Sequence, residues 1–284
     1  MIRTERDLEN RTILLSGGTS GVGRATALEL ARRGATIVIL SRSEDNGRQT
    51  LEDIAGQTGN GKGECLVADL SLQSSVRRAC AAFKQRYDRL DVLANLGGAI
   101  YWEKQITEEG IERMFAVNVL SHFLLTQQLQ DMLKESPAAR VITVGGDPRF
   151  LNNPRIDFGD IQSMNRFSGK RATMQAMYAR ILFGFELADR LEGTGVSSVV
   201  FHPGWVKSRL NRHSPWYLRM LSPMMNALAA RDCKAGVYAA SAAGIDGLNG
   251  IFIDDKLKLL PIKENFDKDA GPRLWQACQD LMTM

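Results

Sequence analysis

The chain has 284 residues, of which 44% are hydrophobic and 24% are charged, and its formal net charge is +4. A chain of this length and apolar content can bury a sizeable core, and we expect residues 1–284 to form one domain. Charges of both signs are mixed along it and no run of 18 apolar residues occurs, so the composition argues against nucleic-acid binding and a membrane span.

The polar N-terminus and the scattered cysteines indicate the cellular compartment of the protein. The first eleven residues contain no apolar signal segment. The four cysteines show no CxxC spacing, which favours reduced structural thiols, and the three histidines lack the spacing of metal ligands. These features predict a cytoplasmic protein without a metal site.

Seven short apolar or β-branched runs predict buried strands, and they alternate with segments of helix length. The predicted strands lie at 11–16, 35–41, 63–69, 90–95, 139–144, 196–201 and 249–255. The predicted helices lie at 22–34, 45–57, 72–87, 108–134 and 170–191. This order predicts an α/β fold, a Rossmann-type doubly wound parallel sheet of about seven strands with helices on both faces.

Two long segments interrupt the alternation. Residues 147–168 follow the fifth predicted strand, and residues 205–228 follow the sixth. Both leave the carboxyl ends of strands, where open α/β sheets bind ligands, so we expect an active-site insertion and a substrate lid. The apolar residues of the predicted lid imply a bulky apolar substrate, although such residues also cover cores. These lid residues are Trp216, Tyr217, Leu218, Met220, Leu221, Met224 and Met225.

A glycine-rich turn, SGGTSGVGRAT, joins the first strand to the first helix. Gly17, Gly21 and Gly23 would let the backbone approach a pyrophosphate, and the helix start offers free N–H donors. An ordinary strand-to-helix loop is the alternative for this turn taken alone. Its place between a strand and a helix favours a dinucleotide site.

The second predicted strand ends in Ser41, Arg42 and Ser43, with no acidic residue. An acid there would bind the ribose 2′-hydroxyl of NAD, whereas an arginine pairs with a 2′-phosphate. A surface arginine is the alternative for Arg42 alone. This strand end therefore predicts NADP(H).

Taken in order, the motifs resemble those of the short-chain dehydrogenase/reductase family, and the terminal GPRLWQACQDLM resembles its retinol-dehydrogenase-like branch. The family's motifs stand here as the glycine turn, VADL, a degraded NLGG, FAVNVL and HPGWVKS. FAVNVL carries Asn118, the asparagine of the family's catalytic tetrad. The resemblance implies a homodimer or a homotetramer. It also implies a cofactor site formed by Gly17, Thr19, Ser20, Gly21, Val22, Gly23, Arg42, Asp69, Leu70, Asn95, Gly97, Pro203, Gly204, Val206 and Ser208.

The three other tetrad positions depart from the family. The resemblance implies a catalytic serine after the fifth strand and a tyrosine and lysine four residues apart on helix 170–191. The alignment puts Gly146, Thr173 and Met177 there. Placing the tyrosine at Tyr178 instead puts Leu182 at the lysine position. Tyr178 is five residues from Thr173, roughly 140° around the helix, so we expect it to pack rather than to react.

Other groups could act in place of the missing residues. Asp147 could serve as an acid or base if its pKa were raised, but an Asp-Pro turn is the favoured interpretation. Tyr101, Trp102 and Glu103 are expected to border the substrate space or to pack beneath the lid.

The sequence leaves three function classes open. The first is an NADP(H)-dependent reductase of secondary metabolism that acts on a bulky apolar substrate, such as an iminium or another activated electrophile. The second is a non-redox cyclase or isomerase. The third is a catalytically silent NADP(H)-binding protein. We favour the first because the cofactor motifs persist.

Overall fold

The computed structural model describes residues 6–208, 216, 220 and 229–283. A single eight-stranded sheet runs through the described residues in the order β3-β2-β1-β4-β5-β6-β7-β8. Its strands are β1 Thr12–Ser16, β2 Thr36–Ser41, β3 Gly63–Val67, β4 Val92–Asn95, β5 Arg140–Val144, β6 Ser197–Phe201, β7 Ile251–Ile253 and β8 Leu259–Leu260. The first seven pair in parallel, which confirms the doubly wound sheet predicted from the sequence.

Strand β8 was not predicted from the sequence. Its two residues pair antiparallel with β7, and Leu259 is half exposed. A strand this short at the edge of a sheet has no apolar run to mark it, whereas every residue of β1, β4 and β5 is buried.

Helices cover both faces of the sheet. The helices are α1 Gly21–Arg32, α2 Glu44–Thr58, α3 Gln73–Arg86, α4 in three continuous parts (Arg113–Phe115, Ala116–Leu120 and Ser121–Glu135), α5 Gly169–Arg190, α6 Lys234–Ser241 and α7 Ala270–Thr283. One core contains side chains of α3, α4, α5 and α7, and the other contains side chains of α1, α2 and α6.

Helix α4 departs from the prediction of one regular helix over 108–134. It begins only at Arg113, because the Glu112 carboxylate caps it by accepting a hydrogen bond from the Phe115 N–H at 2.8 Å. The segment Ala116–Leu120 is π-helical. A π-helical turn inside an α-helix often marks a functional site, and this one contains Asn118.

Helix α7 closes the side of the molecule beside α5. The Trp275 ring lies 4.7 Å from the Phe123 ring and 6.1 Å from the Phe183 ring. The terminal sequence GPRLWQACQDLM, which resembles that of the retinol-dehydrogenase-like branch, lies within this helix. Among the described residues, no helix is long and apolar enough to cross a bilayer.

The sheet order reverses between β1 and β4. Strand β1 pairs with β2 on one side and with β4 on the other, and Ser16 lies opposite Asn95 at the carboxyl ends. A ligand binds at this switch point in open α/β sheets, so the fold directs attention to the loops that follow β1 and β4.

Candidate cofactor and active site

The glycine turn after β1 lies directly against the loop after β4. Gly17 has a φ of 73°, and a Cβ on it would lie 2.7 Å from the Gly97 Cα. A Cβ on Gly23 would overlap the Gly17 carbonyl oxygen. Both positions therefore require glycine, one for its conformation and the other for the close approach of α1 to the turn.

Ser16 ties the two loops together. Its hydroxyl accepts hydrogen bonds from the N–H groups of Leu96 and Gly97, both at 3.1 Å. The neighbouring Asn95 Oδ1 is buried and has no hydrogen-bond partner among the described residues. An unsatisfied buried acceptor at this edge fits a site that a polar ligand completes.

Two further segments close the same edge. A Cβ on Gly97 would overlap Leu70, and a Cβ on Gly21 would lie 3.0 Å from the Ser208 Cβ. Val206 forms a parallel bridge with Ala230, which brings the two ends of the predicted lid together. Residues from the loops after β1, β3, β4 and β6 thus meet where the sequence predicted a cofactor site.

The remaining predicted cofactor residues lie around this cradle. Ser20 precedes α1 without a side-chain cap, so the helix start keeps free backbone donors beside Thr19 and Val22. The Asp69 carboxylate accepts hydrogen bonds from the Ser71 N–H and hydroxyl at 2.9 and 2.8 Å. The Pro203-Gly204 turn has a Gly204 φ of 70° beside Asp255. The glycine cradle and the helix start fit a dinucleotide.

Arg42 lies exposed at the end of β2. None of the ion pairs within the described part of the chain involves Arg42. The next residue, Ser43, caps α2 by accepting a hydrogen bond from the Asn46 N–H at 3.3 Å. The guanidinium is therefore available to an anionic ligand.

Gly146 and Met177, the predicted positions of the family's serine and lysine, face each other. A Cβ on Gly146 would overlap the Met177 Sδ and would lie 2.8 Å from its Cγ. The Thr173 hydroxyl donates to the carbonyl of Gly169 at 2.6 Å, one turn earlier in α5. A methionine thioether thus fills the space beside Gly146, and the threonine proton is already engaged within its own helix.

Tyr178 points toward the insertion after β5. Its hydroxyl donates to the Phe150 carbonyl at 3.0 Å, and partial burial raises its pKa. A raised pKa is the opposite of what a proton-transferring phenol needs. This geometry supports the packing role expected for Tyr178.

Asn118 organises the loop after β4 from the π-helical turn. Its Nδ2 donates to the carbonyls of Ala99 and Met114, both at 2.8 Å, and its Oδ1 accepts from the Ala99 N–H at 3.2 Å. These bonds hold the Gly97–Ala99 backbone beside the turn after β1. In this structure Asn118 acts on the loop rather than on a neighbouring lysine.

Asp147 forms a turn and an ion pair. It accepts a hydrogen bond from the Arg149 N–H at 2.9 Å and pairs with the Arg149 guanidinium, and that side-chain bond lowers its pKa. An acid–base role would require a raised pKa, and that of Asp147 is lowered instead. The arrangement favours the Asp-Pro turn.

Sequence reasoning missed Arg180, a half-buried cation in α5. It lies three residues after Met177 and seven after Thr173, nearly two turns on, and so shares their face of the helix. Its NH1 lies 3.3 Å from the point where a Cβ on Gly98 would be. A charged residue on the stripe that carries the two altered catalytic positions was the available signal.

His122 packs behind the same loop. Its Nε2–H donates to the Gly97 carbonyl at 2.9 Å, and Nδ1 has no partner among the described residues. Burial, with a smaller contribution from the charge of Arg180, lowers the pKa of His122 to about 3. The imidazole is therefore neutral and does not place a second positive charge beside Arg180.

The predicted substrate surface is only partly covered by the structure. Residues 209–215, 217–219 and 221–228 of the predicted lid lie outside the described residues. Tyr101 is buried under the Arg113 guanidinium, which lies 5.3 Å from its ring. Exposed apolar side chains occur on the insertion, the lid and the loop after β4, namely Trp102, Phe150, Trp205, Trp216 and Met220.

The chain is similar in sequence to proteins named as dehydrogenases. The short chain dehydrogenase family model matches residues 11–151. Retinol dehydrogenase 14 of Homo sapiens is 34% identical over 97% of this chain and 87% of that protein. Polyprenol dehydrogenase of Mus musculus is 32% identical over 93% of this chain and 82% of that protein.

Solved structures agree with the sequence relatives. An uncharacterised protein from Mycobacterium paratuberculosis superposes with a TM-score of 0.74 at 28% identity, covering 98% of this chain and 95% of that one. The Pseudomonas aeruginosa RhlG complex with NADP superposes with a TM-score of 0.62 at 25% identity, covering 89% and 97%. The chain therefore belongs to the short-chain dehydrogenase family of oxidoreductases and to its retinol-dehydrogenase-like branch.

Proposed function

We propose that this protein is an NADP(H)-dependent reductase of a bulky apolar substrate that works without the family's serine, tyrosine and lysine. The observation that carries the proposal is a contrast within one site. The glycine turn and the loop after β4 keep a tight cradle for a dinucleotide, whereas Met177 fills the space beside Gly146. Hydride delivery can persist there, but proton delivery by the usual groups cannot.

This contrast selects the kind of substrate. A threonine hydroxyl is a far weaker acid than a phenol with a pKa near 10, and Thr173 already donates to Gly169. Positioned acid–base catalysis typically contributes ~10²–10⁴-fold, so ordinary carbonyl reduction would be slow. An iminium needs no proton donor, because hydride adds to carbon while the C=N π electrons return to nitrogen and leave a neutral amine.

The choice of NADP(H) rests on Arg42. The side chain is exposed at the end of β2, where its guanidinium can pair with a 2′-phosphate. The structural neighbour RhlG, which is bound to NADP, supports a nicotinamide cofactor of this kind. The cofactor supplies the hydride, and the chain's own residues bind and orient it.

The proposal of an apolar substrate is based on the side chains at the rim of the site. Trp102, Phe150 and Trp205 are exposed on three segments that leave the carboxyl edge of the sheet. Relatives named for retinol and polyprenol indicate that this branch accommodates long apolar molecules. The role in secondary metabolism, the cytoplasmic location and the homodimer or homotetramer stay predictions.

The test follows NADPH absorbance with a panel of bulky cyclic iminium salts and the matching ketones. We expect NADPH consumption with iminium salts and at least ~10²-fold slower consumption with ketones, the contribution of the missing acid. Ketone reduction at the same rate as iminium reduction would refute the proposed substrate class. A catalytically dead control is Gly17→Ala, because its Cβ would meet the Gly97 backbone.

Two other functions rest on the same altered positions. A non-redox cyclase or isomerase would convert an apolar substrate with no change in NADPH absorbance. A silent NADP(H)-binding protein would bind the cofactor and convert nothing. Product analysis by mass spectrometry, run beside the absorbance assay, separates the three.

A further inference from the structure

Arg180 is a cation with no counterion among the described residues. Its Nε is buried and has no hydrogen-bond partner among the described residues, and none of the ion pairs of the described chain includes it. Residues 209–228 of the predicted lid, most of which lie outside the described residues, contain no aspartate or glutamate. The lid sequence therefore offers Arg180 no carboxylate.

An unpaired guanidinium in this position carries a free-energy cost. Burial of a charge is unfavourable unless the charge is paired or hydrogen-bonded. Burial lowers the pKa of Arg180 to about 10, so the side chain stays protonated at neutral pH. His122, whose pKa is lowered in part by the Arg180 charge, is neutral. The Arg180 guanidinium can therefore donate hydrogen bonds to a ligand.

Arg180 lies about one turn after Met177, the predicted position of the lost lysine, on the same face of α5. Side chains in a helix lean toward its N-terminus, so Arg180 reaches back over the turn that carries Met177. Its NH1 and the Asn118 Oδ1 flank the same point beside Gly98, at 3.3 and 2.9 Å from it. Gly98 directly follows Gly97, which packs against the turn after β1. The guanidinium therefore lies at the loop that faces the cofactor.

We propose that Arg180 replaces the family's lysine as the cation that holds the nicotinamide-side ribose of NADP(H), an inference that rests on the proposed function. The five N–H donors of a guanidinium suit two neighbouring ribose hydroxyls. A guanidinium directed at the substrate would repel an iminium cation, whereas one directed at the ribose leaves the substrate side apolar. Arg180 is a cofactor-binding residue that the family motif does not contain.

The test separates the two halves of the cofactor by calorimetric titration. NADPH and adenosine 2′,5′-bisphosphate are titrated into the wild type and Arg180→Gln; the bisphosphate keeps the 2′-phosphate but lacks the nicotinamide ribose. We expect Arg180→Gln to weaken NADPH binding ~10-fold or more, the loss of a hydrogen bond to a charged group, and to leave bisphosphate affinity unchanged. Arg42→Asp should weaken both ligands.

Two further variants control for the fold and the charge. Arg190→Gln makes the same substitution on α5 at a residue that pairs with Glu186 and stacks on Trp275, and it should not change NADPH affinity. Met177→Lys added to Arg180→Gln returns the lysine to its family position and should restore NADPH affinity. Rescue by a charge at a different position is not expected of a residue that only supports the fold.

Each contrary outcome has a defined meaning. Unchanged NADPH affinity in Arg180→Gln would overturn the inference while leaving the proposed function intact. Equal weakening of NADPH and the bisphosphate would also overturn it, because the effect would then be on the fold. A wild type that binds neither ligand would refute the proposed function, and the inference with it.

Discussion

The contact between Gly146 and Met177 can be measured as a coupling free energy. A Cβ on Gly146 would overlap the Met177 Sδ and lie 3.1 Å from its Cε, and Gly146 is not among the glycines with positive φ. Overpacking of this kind costs ~1–3 kcal/mol, and we expect the lower end for Gly146→Ala because a methionine side chain can move aside. In a Met177→Ala background the overlap is removed. The same substitution should then stabilise the protein by ~0.4–1 kcal/mol through the unfolded state.

The assay is urea unfolding of the wild type, the two single variants and the double variant. The unfolded-state effect of replacing glycine is the same in both backgrounds, so the double-mutant cycle isolates the contact, and we expect a coupling of ~1–2 kcal/mol. Gly56→Ala is the matched control, because a Cβ there meets nothing within 4 Å and its effect should add to that of Met177→Ala. A Gly146–Met177 coupling below ~0.5 kcal/mol, as for independent sites, would refute the placement of the serine and lysine positions.

Three further results are expected. Arg42→Asp should lower NADPH affinity and leave NADH affinity within a few-fold, measured by calorimetry; equal affinities of the wild type for both cofactors would contradict the role of Arg42. Tyr178→Phe removes a 3.0 Å hydrogen bond to Phe150, so it should cost ~1 kcal/mol or less in urea unfolding and leave NADPH turnover intact; a hundredfold loss of turnover would show that the tyrosine is catalytic. The pKa of His122 is lowered to about 3 from an ordinary 6.5. Since the unfolded chain then takes up the proton first, stability should fall as pH drops below 6.5, and His122→Gln should flatten that pH profile; an unchanged slope would contradict the buried neutral imidazole.

The sequence by itself determined most of the architecture, because each of the seven parallel strands is marked by a local apolar run, whereas β8 is not. The runs at 11–16 and 139–144 contain the buried strands β1 and β5, and their alternation with helical segments predicted the parallel sheet. The glycine turn was equally readable, since the spacing of Gly17 and Gly23 reflects how closely two backbone segments must approach. The predicted placement of Thr173 and Met177 at the tyrosine and lysine positions came from counting along one helix, and that of Gly146 came from the end of the fifth strand.

Only the tertiary structure decided what those positions face. Helical spacing shows that Thr173, Met177 and Arg180 share a stripe, but not that Met177 meets Gly146 or that Arg180 reaches the loop beside Gly98. The turn-forming role of Asp147 depends in the same way on where the Arg149 side chain folds back. A periodic pattern shows which side chains lie on the same face of one helix or strand. The partner they meet, and whether a buried charge finds a counterion, depend on segments distant in the chain that only packing brings into contact.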